Sequence, residues 1–250
     1  MTSDSSKPVL TKSQSELIAF LFESHSSDIT APLTSWIAAS PRYASFVEKY
    51  KDKIRKKLRV TRETGAAADL LYELQIPYWL LNDQRFEVAY EPYSAGKTRG
   101  PDYSVTFRTN FTFNIEVTHM RGLQQTPADP PVGEVVINYR LVDVLCSKLR
   151  QLLVNMANLL FVVAAPAVIE PLDLSAHIAW IKDKAERSDP SFYARHRFLN
   201  ASDFFKYYER LSGLVLYNPA GARQVILWLN PQARVKLTDP VKNILQRGFV

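Results

Sequence analysis

Two carboxylates have the type and spacing to do chemistry. The runs Asp102-Tyr-Ser-Val-Thr-Phe107 and Phe113-Asn-Ile-Glu-Val-Thr118 alternate apolar and polar residues, the pattern of half-buried strands. Alternation sends Tyr103, Val105 and Phe107 to one face and Asp102, Ser104 and Thr106 to the other. In the second run Phe113, Ile115 and Val117 share a face, opposite Asn114, Glu116 and Thr118. For the two apolar faces to coincide, the connecting loop must hold an odd number of residues, because a one-residue slip turns a strand over. A loop of Arg108, Thr109 and Asn110 satisfies this, with Asn110 suited to a left-handed position. Phe107 then pairs with Phe111, and Asp102 falls opposite Glu116. Cross-strand Cβ atoms lie about 4.5–5.5 Å apart, which is too close for two bare negative charges. A divalent cation resolves the conflict, and Mg²⁺ commonly binds through one or two carboxylates and several waters. The alternative is a solvated sheet face on which each acid pairs with a basic neighbour such as Arg99 or Arg108.

The elements that must position these residues are legible in outline. Ser13-Gln14-Ser15-Glu16 has the form of a capping box and predicts a short helix over 14–24. Ser40-Pro41 reads as an N-cap and first turn, opening a helix to about residue 58. Thr64-Gly65 precedes a third helical pattern that ends near Pro77. From Phe86 the period changes to two, with strands expected over 86–90, 103–107 and 111–117. A Pro-rich loop at 126–133 leads to a helix over 137–155, with Leu141, Leu145, Leu149 and Leu152 along one side. The continuous apolar run 159–163 reads as a buried central strand. Helices over 174–186 and 202–211, strands over 214–217 and 224–229, and a short helix over 240–246 complete the chain. The order from 65 to 165 is helix, strand, strand, strand, helix, strand, which predicts an α/β fold with a mixed sheet.

This pattern resembles the PD-(D/E)xK nuclease superfamily, whose fold is called restriction-endonuclease-like. Pro101-Asp102 followed by Glu116-Val117-Thr118 matches its bipartite motif, and the order over 65–165 matches its αβββαβ core. The resemblance implies that Asp102 and Glu116 bind a catalytic Mg²⁺ or Mn²⁺, with the Val117 carbonyl as a further ligand. It also implies that Glu73, on the preceding helix, is the acidic residue many members place near the metal. The family's lysine belongs at position 118, where this chain has Thr118. Some members carry that lysine on the next helix, and Lys148 and Gln151 lie one turn apart there. Lys148 borders the apolar side formed by Val144, Leu145 and Leu152, a position from which it could reach the sheet face; the bland reading is a surface lysine snorkelling past leucines. The implied activity is metal-dependent endonucleolytic hydrolysis of DNA phosphodiester bonds, leaving 5′-phosphate ends. If nothing replaces the lysine missing at Thr118, the implied alternative is a catalytically inactive nucleic-acid-binding or assembly module of the same fold.

Charge adds an independent signal. The chain carries a net +6, and the window 48–62 alone holds Lys49, Lys51, Lys53, Arg55, Lys56, Lys57, Arg59 and Arg62 against Glu48 and Asp52, so the remainder is neutral. A basic stripe of this kind suits a phosphate backbone. We read Lys49, Lys53, Arg55, Lys56, Lys57 and Arg59 as nucleic-acid contacts, joined by Lys97 and Arg99 from the turn at 94–100, with DNA favoured over RNA. Competing readings are a solvated helix face and a docking surface for an acidic protein partner. The expected organisation is a helical region at 1–62, the nuclease-like core at 63–170, and helices and strands at 171–250 packing on that core.

Other chemistries are disfavoured. A lone cysteine, Cys146, precludes an internal disulfide and a cysteine-based zinc site. His25, His119, His177 and His196 lack ligand spacing, although His119 directly follows the motif strand. Gly96-Lys97-Thr98 lacks the first glycine of a phosphate loop, and no nucleophile-elbow sequence occurs. The longest apolar stretch, 152–169, is broken by Asn155, Asn158 and Pro166, so no membrane span is expected. The polar, acidic opening residues do not resemble a secretory signal, and a cytoplasmic protein is expected. A homodimer would suit double-strand cutting.

Overall fold

The computed structural model describes residues 10–23, 27–64, 66–93, 100–120, 137–164, 173–218 and 225–247. Contacts divide the chain into two compact units, Met1–Tyr90 and Glu91–Val250. The boundary expected at 62/63 therefore lies inside the first unit.

The first unit holds α1 (Lys12–Phe22), α2 (Thr30–Ala39), α3 (Pro41–Thr64), α4 (Ala67–Asn82) and β1 (Phe86–Tyr90). Helix α1 starts earlier than expected because Thr11, not Ser13, is its N-cap. Thr11 Oγ1 accepts from Gln14 N at 3.2 Å and Gln14 Oε1 accepts from Thr11 N at 2.9 Å, a reciprocal capping box. Helix α2 has no counterpart in the sequence reading. Its N-cap, Ile29, makes no side-chain capping bond, so it carries no start signal, and it forms by burying Leu33 and Ile37. In α3, Ser40 Oγ accepts from Tyr43 N at 3.3 Å, as the Ser-Pro pair predicts. The helix continues past residue 58 to Thr64, with a non-helical residue, Tyr50, at φ −112°, ψ 15°. Tyr43, Phe46, Val47, Ile54 and Leu58 form its buried spine.

Helix α4 corrects a clear expectation, since it runs through Pro77 to Asn82. A helical proline costs about 3 kcal/mol, but each fully buried large apolar side chain contributes about 1.5–3 kcal/mol. Continuing past the proline buries Trp79, Leu80 and Leu81. Tyr43 Oη donates to Leu74 O at 2.9 Å, supporting a carbonyl in the turn before the proline. Arg42 closes the far end, donating through Nη1 to Leu81 O and Asp83 O, both at 2.8 Å, and through Nη2 to Phe86 O at 2.6 Å.

The second unit holds β2 (Tyr103–Phe107), β3 (Phe111–Met120), α5 (Tyr139–Leu149), β4 (Ala157–Ala164), α6 (Leu174–Glu186), α7 (Pro190–His196), α8 (Ala201–Tyr208), β5 (Leu211–Tyr217), β6 (Val225–Leu229) and α9 (Asp239–Gln246). The strands lie in chain order β2-β3-β4-β5-β6. Pairs β2–β3 and β5–β6 are antiparallel, and β3–β4 and β4–β5 are parallel. The class is α/β with a mixed sheet, as the alternation of patterns predicts. All of β4 is buried, which accounts for its unbroken apolar run. One core packs Leu141, Leu145 and Leu149 of α5, Ile178 and Ile181 of α6, and Phe192, Phe198 and Phe204 against Leu160, Val162, Leu214 and Leu216 of the sheet. Strand β5 pairs with β4, so the C-terminal segment extends the sheet itself.

Helix α5 is shorter than the expected 137–155. Asn138 caps its start, its side chain accepting from Arg140 N and Leu141 N. Its helical spacing ends at Leu149, because the following residues turn into β4 through Asn155 in a left-handed conformation (φ 60°). Helix α7 was not expected either, although Asp189 caps it and Pro190 occupies its first turn.

Candidate active site

The β2–β3 hairpin has the register that parity requires. Phe107 pairs with Phe111, Val105 with Phe113 and Tyr103 with Ile115, so one step further Asp102 stands across from Glu116. The left-handed residues of the loop are Arg108 (φ 49°) and Thr109 (φ 64°) rather than Asn110. Asn110 instead closes the turn, its N–H donating to Phe107 O at 3.3 Å. With two left-handed residues in succession, the turn matches the right-handed twist of its strands.

Neither acid lies on a solvated face. Asp102 is 7% exposed and Glu116 is wholly buried. Asp102 Oδ2 accepts the Val117 N–H at 2.8 Å, a bond that holds its carboxylate beside the end of the motif strand. Glu116 Oε1 accepts from Lys148 Nζ at 2.6 Å. Lys148 is largely buried, its side chain 16% exposed, and the apolar side of α5 carries it to the sheet as its position beside Leu145 suggests. Thr118, on β3, is half-buried and pairs in register with Val162.

Two oxygens test whether a cation fits. Glu116 Oε2 and Gln151 Oε1 are buried and have no hydrogen-bond partner. A buried acceptor left unmade costs about 1–3 kcal/mol, and one without a donor is open to a hard cation. Gln151 lies in the turn after α5, two residues beyond its end at Leu149, with its N–H donating to Lys148 O at 3.0 Å. Among the described residues no group of three or more His, Cys, Asp or Glu side chains is gathered. A cation here would draw on two carboxylates, neutral oxygens and water, a donor set that suits Mg²⁺.

The remaining expected site residues belong to the first unit or lie outside the described residues. Glu73 Oε1 accepts from Lys57 Nζ at 2.5 Å and from Tyr90 Oη at 2.7 Å. The basic stripe is partly spent within its own unit. Arg55 and Arg59 both donate to Glu23, whose carboxyl they hold down to about 2. Lys51 pairs with Glu48 at 2.6 Å, and Lys53 Nζ reaches Tyr90 O at 3.5 Å. Lys49, Lys56 and Arg59 are exposed. Lys97 and Arg99, in the turn at 94–99, lie outside the described residues, as do the side chain of Arg62 and all of His25.

Sequence reasoning missed a polar network under the hairpin. Tyr93 Oη donates to Asn114 Oδ1 at 2.8 Å, and Asn114 Nδ2 donates to Asn158 Oδ1 at 3.2 Å. Asn158 Nδ2 in turn lies within bonding distance of Leu153 O, Met156 O and Arg210 O. The signal available was Asn158 itself, a polar residue inside an otherwise apolar strand. Also missed was His177, whose Nδ1 bonds Asp173 O at 2.6 Å while Nε2 accepts from Asn138 N at 2.8 Å. It joins the N-caps of α5 and α6.

No protein-family model, curated protein or solved structure matches the chain. Among the described residues no helix is long and apolar enough to cross a membrane.

Proposed function

We propose that the chain is a Mg²⁺-dependent nuclease that hydrolyses phosphodiester bonds in DNA. One observation carries this reading: a buried Glu116 stands across the hairpin from Asp102, with a lysine on one oxygen and no donor on the other. Asp102, Glu116 and the neutral oxygens of Gln151 and Val117 would hold the ion. When bound, Mg²⁺ would supply Lewis acidity to a phosphate oxygen and lower the pKa of a coordinated water.

The chain's own groups do the rest. The Val117 N–H orients Asp102. Lys148 holds the buried Glu116 carboxylate through one hydrogen bond, and its remaining ammonium protons are donors for a phosphoryl oxygen whose charge grows in the transition state. The lysine thus acts from α5 in place of the residue replaced by Thr118. The exposed Lys49 and Lys56 supply backbone contacts whose strength falls with salt.

A second reading is favoured by the same lysine. A complete Lys148–Glu116 ion pair at 2.6 Å neutralises the carboxylate without any metal, as a non-catalytic nucleic-acid-binding module would need. Cleavage of supercoiled plasmid, single-stranded DNA and RNA, with Mg²⁺ or Mn²⁺, separates the two. Metal-dependent cleavage of DNA that is lost in Asp102→Asn, Glu116→Gln and Lys148→Ala supports the nuclease. Salt-sensitive binding without cleavage supports the module, and absence of both sinks each reading.

A further inference from the structure

The face of α5 turned away from Lys148 carries a second cluster. A cleft of about 480 Å³ is lined by Asp143, Cys146, Ser147 and Arg150, and by Arg195, His196 and Arg197 at the end of α7. Three guanidinium groups and one carboxylate line it, with Asp203 paired to Arg150, so the cleft carries a net positive charge.

Each arginine is held differently. Arg195 makes a two-pronged bond to Asp143, through Nε to Oδ1 at 2.7 Å and Nη2 to Oδ2 at 2.5 Å, leaving Nη1 uncommitted to that carboxylate. Arg150 stacks over Phe198 and Tyr207, 5.3 and 4.9 Å from their ring centres. Its Nη2 donates to Arg197 O and, at 3.2 Å, to Asp203 Oδ2. These contacts fix the plane of the guanidinium before any ligand arrives. Arg197 caps α7 in a left-handed conformation (φ 61°) and is exposed. Among the described residues its guanidinium has no ion-pair partner.

The other lining groups define what the cleft would take. His196 Nδ1 lies 3.8 Å from Asp143 Oδ1, and burial lowers its pKa, so at neutral pH it adds a hydrogen-bonding ring without charge. The Cys146 thiol is raised far above its usual value by burial and by Asp143, so it stays protonated and the site binds rather than reacts. Ser147 is exposed, its hydroxyl donating to Val144 O at 2.9 Å and open as an acceptor. Planar donors in fork geometry match phosphate oxygens, and the volume exceeds a bare phosphate and suits a small organic ligand.

We infer that this cleft between α5 and α7 is a binding site for a small phosphate monoester, separate from the Asp102–Glu116 site and on the opposite face of the helix that carries Lys148. Calorimetric titration of the full chain, without divalent metal, tests it with a nucleoside 5′-monophosphate, its unphosphorylated nucleoside and inorganic phosphate. The expected result is saturable binding of the monophosphate and none of the nucleoside. Arg197→Asn removes the guanidinium while suiting the left-handed backbone, and Ser147→Glu places a carboxylate in the cleft at the loss of one exposed bond, from Ser147 Oγ to Val144 O. Each should weaken binding about tenfold or more, with Glu116→Gln leaving it unchanged. Tighter binding of the monoester than of inorganic phosphate supports the ester as ligand; equal affinities overturn that assignment in favour of the free anion. No binding to the native chain, indifference to both cleft variants, or loss in Glu116→Gln overturns the site.

Discussion

Lys148 Nζ meets Glu116 Oε1 at 2.6 Å across 32 positions of chain, and this pair joins α5 to the strand that ends the motif. A wholly buried carboxylate needs such a partner, because an unpaired charge in the interior is strongly destabilising. Lys148→Ala is therefore expected to cost about 3–5 kcal/mol. Combining Lys148→Met with Glu116→Gln should recover much of that loss. Urea denaturation of the single and double variants checks both, and equal stability of Lys148→Ala and the native chain would remove the pair from the account.

Metal binding should be visible without catalysis. A ligand present at about one hundred times its Kd stabilises the folded state by about 2.7 kcal/mol. Mg²⁺ is expected to raise the Tm of the native chain, and Glu116→Gln should abolish the increment. A Tm indifferent to Mg²⁺ and Mn²⁺ up to tens of Kd for ordinary Mg²⁺ sites would count against the metal centre while leaving the ion pair intact.

Asp102 has two separable duties. Its Oδ2 accepts the Val117 N–H, and its charge would serve the cation. Asp102→Asn keeps an acceptor but loses the charge, so it should retain stability and lose metal-dependent activity. Asp102→Ala loses both and should also cost about 1–3 kcal/mol. Thermal melts beside cleavage assays distinguish these outcomes.

The hairpin register was more legible than its surroundings. Strand parity alone brought Asp102 opposite Glu116, because a period of two leaves few registers once Phe107 and Phe111 must face the same way. Lys148 was legible through its place beside Leu145 on the apolar side of α5. Its bond to Glu116 was not, since that depends on the parallel pairing of β3 with β4 and the path of the helix across it. Helix α2 escaped because Ile29 offers no capping side chain, and α4 outran Pro77 because tertiary burial outweighed a local rule. The internal pairing of the basic stripe was hidden for a similar reason. Glu23, which binds both Arg55 and Arg59, lies in another helix-end segment, and local composition cannot show that pairing.

That pairing makes the first unit acid-sensitive. Glu23 titrates near 2 in the folded chain, chiefly through its bonds from Arg59 and then Arg55, against an ordinary value of 4.5. A depressed carboxylate pKa contributes stability above the unfolded value and loses it as pH falls through the folded one. Glu23→Gln should thus be less stable than the native chain above pH 4.5, with the gap closing toward pH 2. Denaturant midpoints measured along that range check the slope, and a constant gap would mean that the arginines act on Glu23 by packing alone.

Asn158 anchors the start of β4. Its side chain bonds Asn114 and backbone groups of Leu153, Met156 and Arg210. Asn158→Ala leaves several buried polar groups unmet and is expected to cost at least about 3 kcal/mol. Asn158→Asp should be no better, because the backbone carbonyls it faces need a donor.

The order β2-β3-β4-β5-β6 means that each of β3, β4, β5 and β6 pairs with the strand before it in the chain. No strand must be threaded between two that are already bonded. As the polypeptide leaves the ribosome, each newly emerged strand can add to the edge left by its predecessor, with α5 laid down before β4 arrives. The exposed edge then migrates with synthesis from β3 to β4 to β5 and comes to rest at β6. A ribosome stalled after β4 would display that strand, apolar but for Asn158, as an open edge, the form of the chain most prone to adhere to other chains.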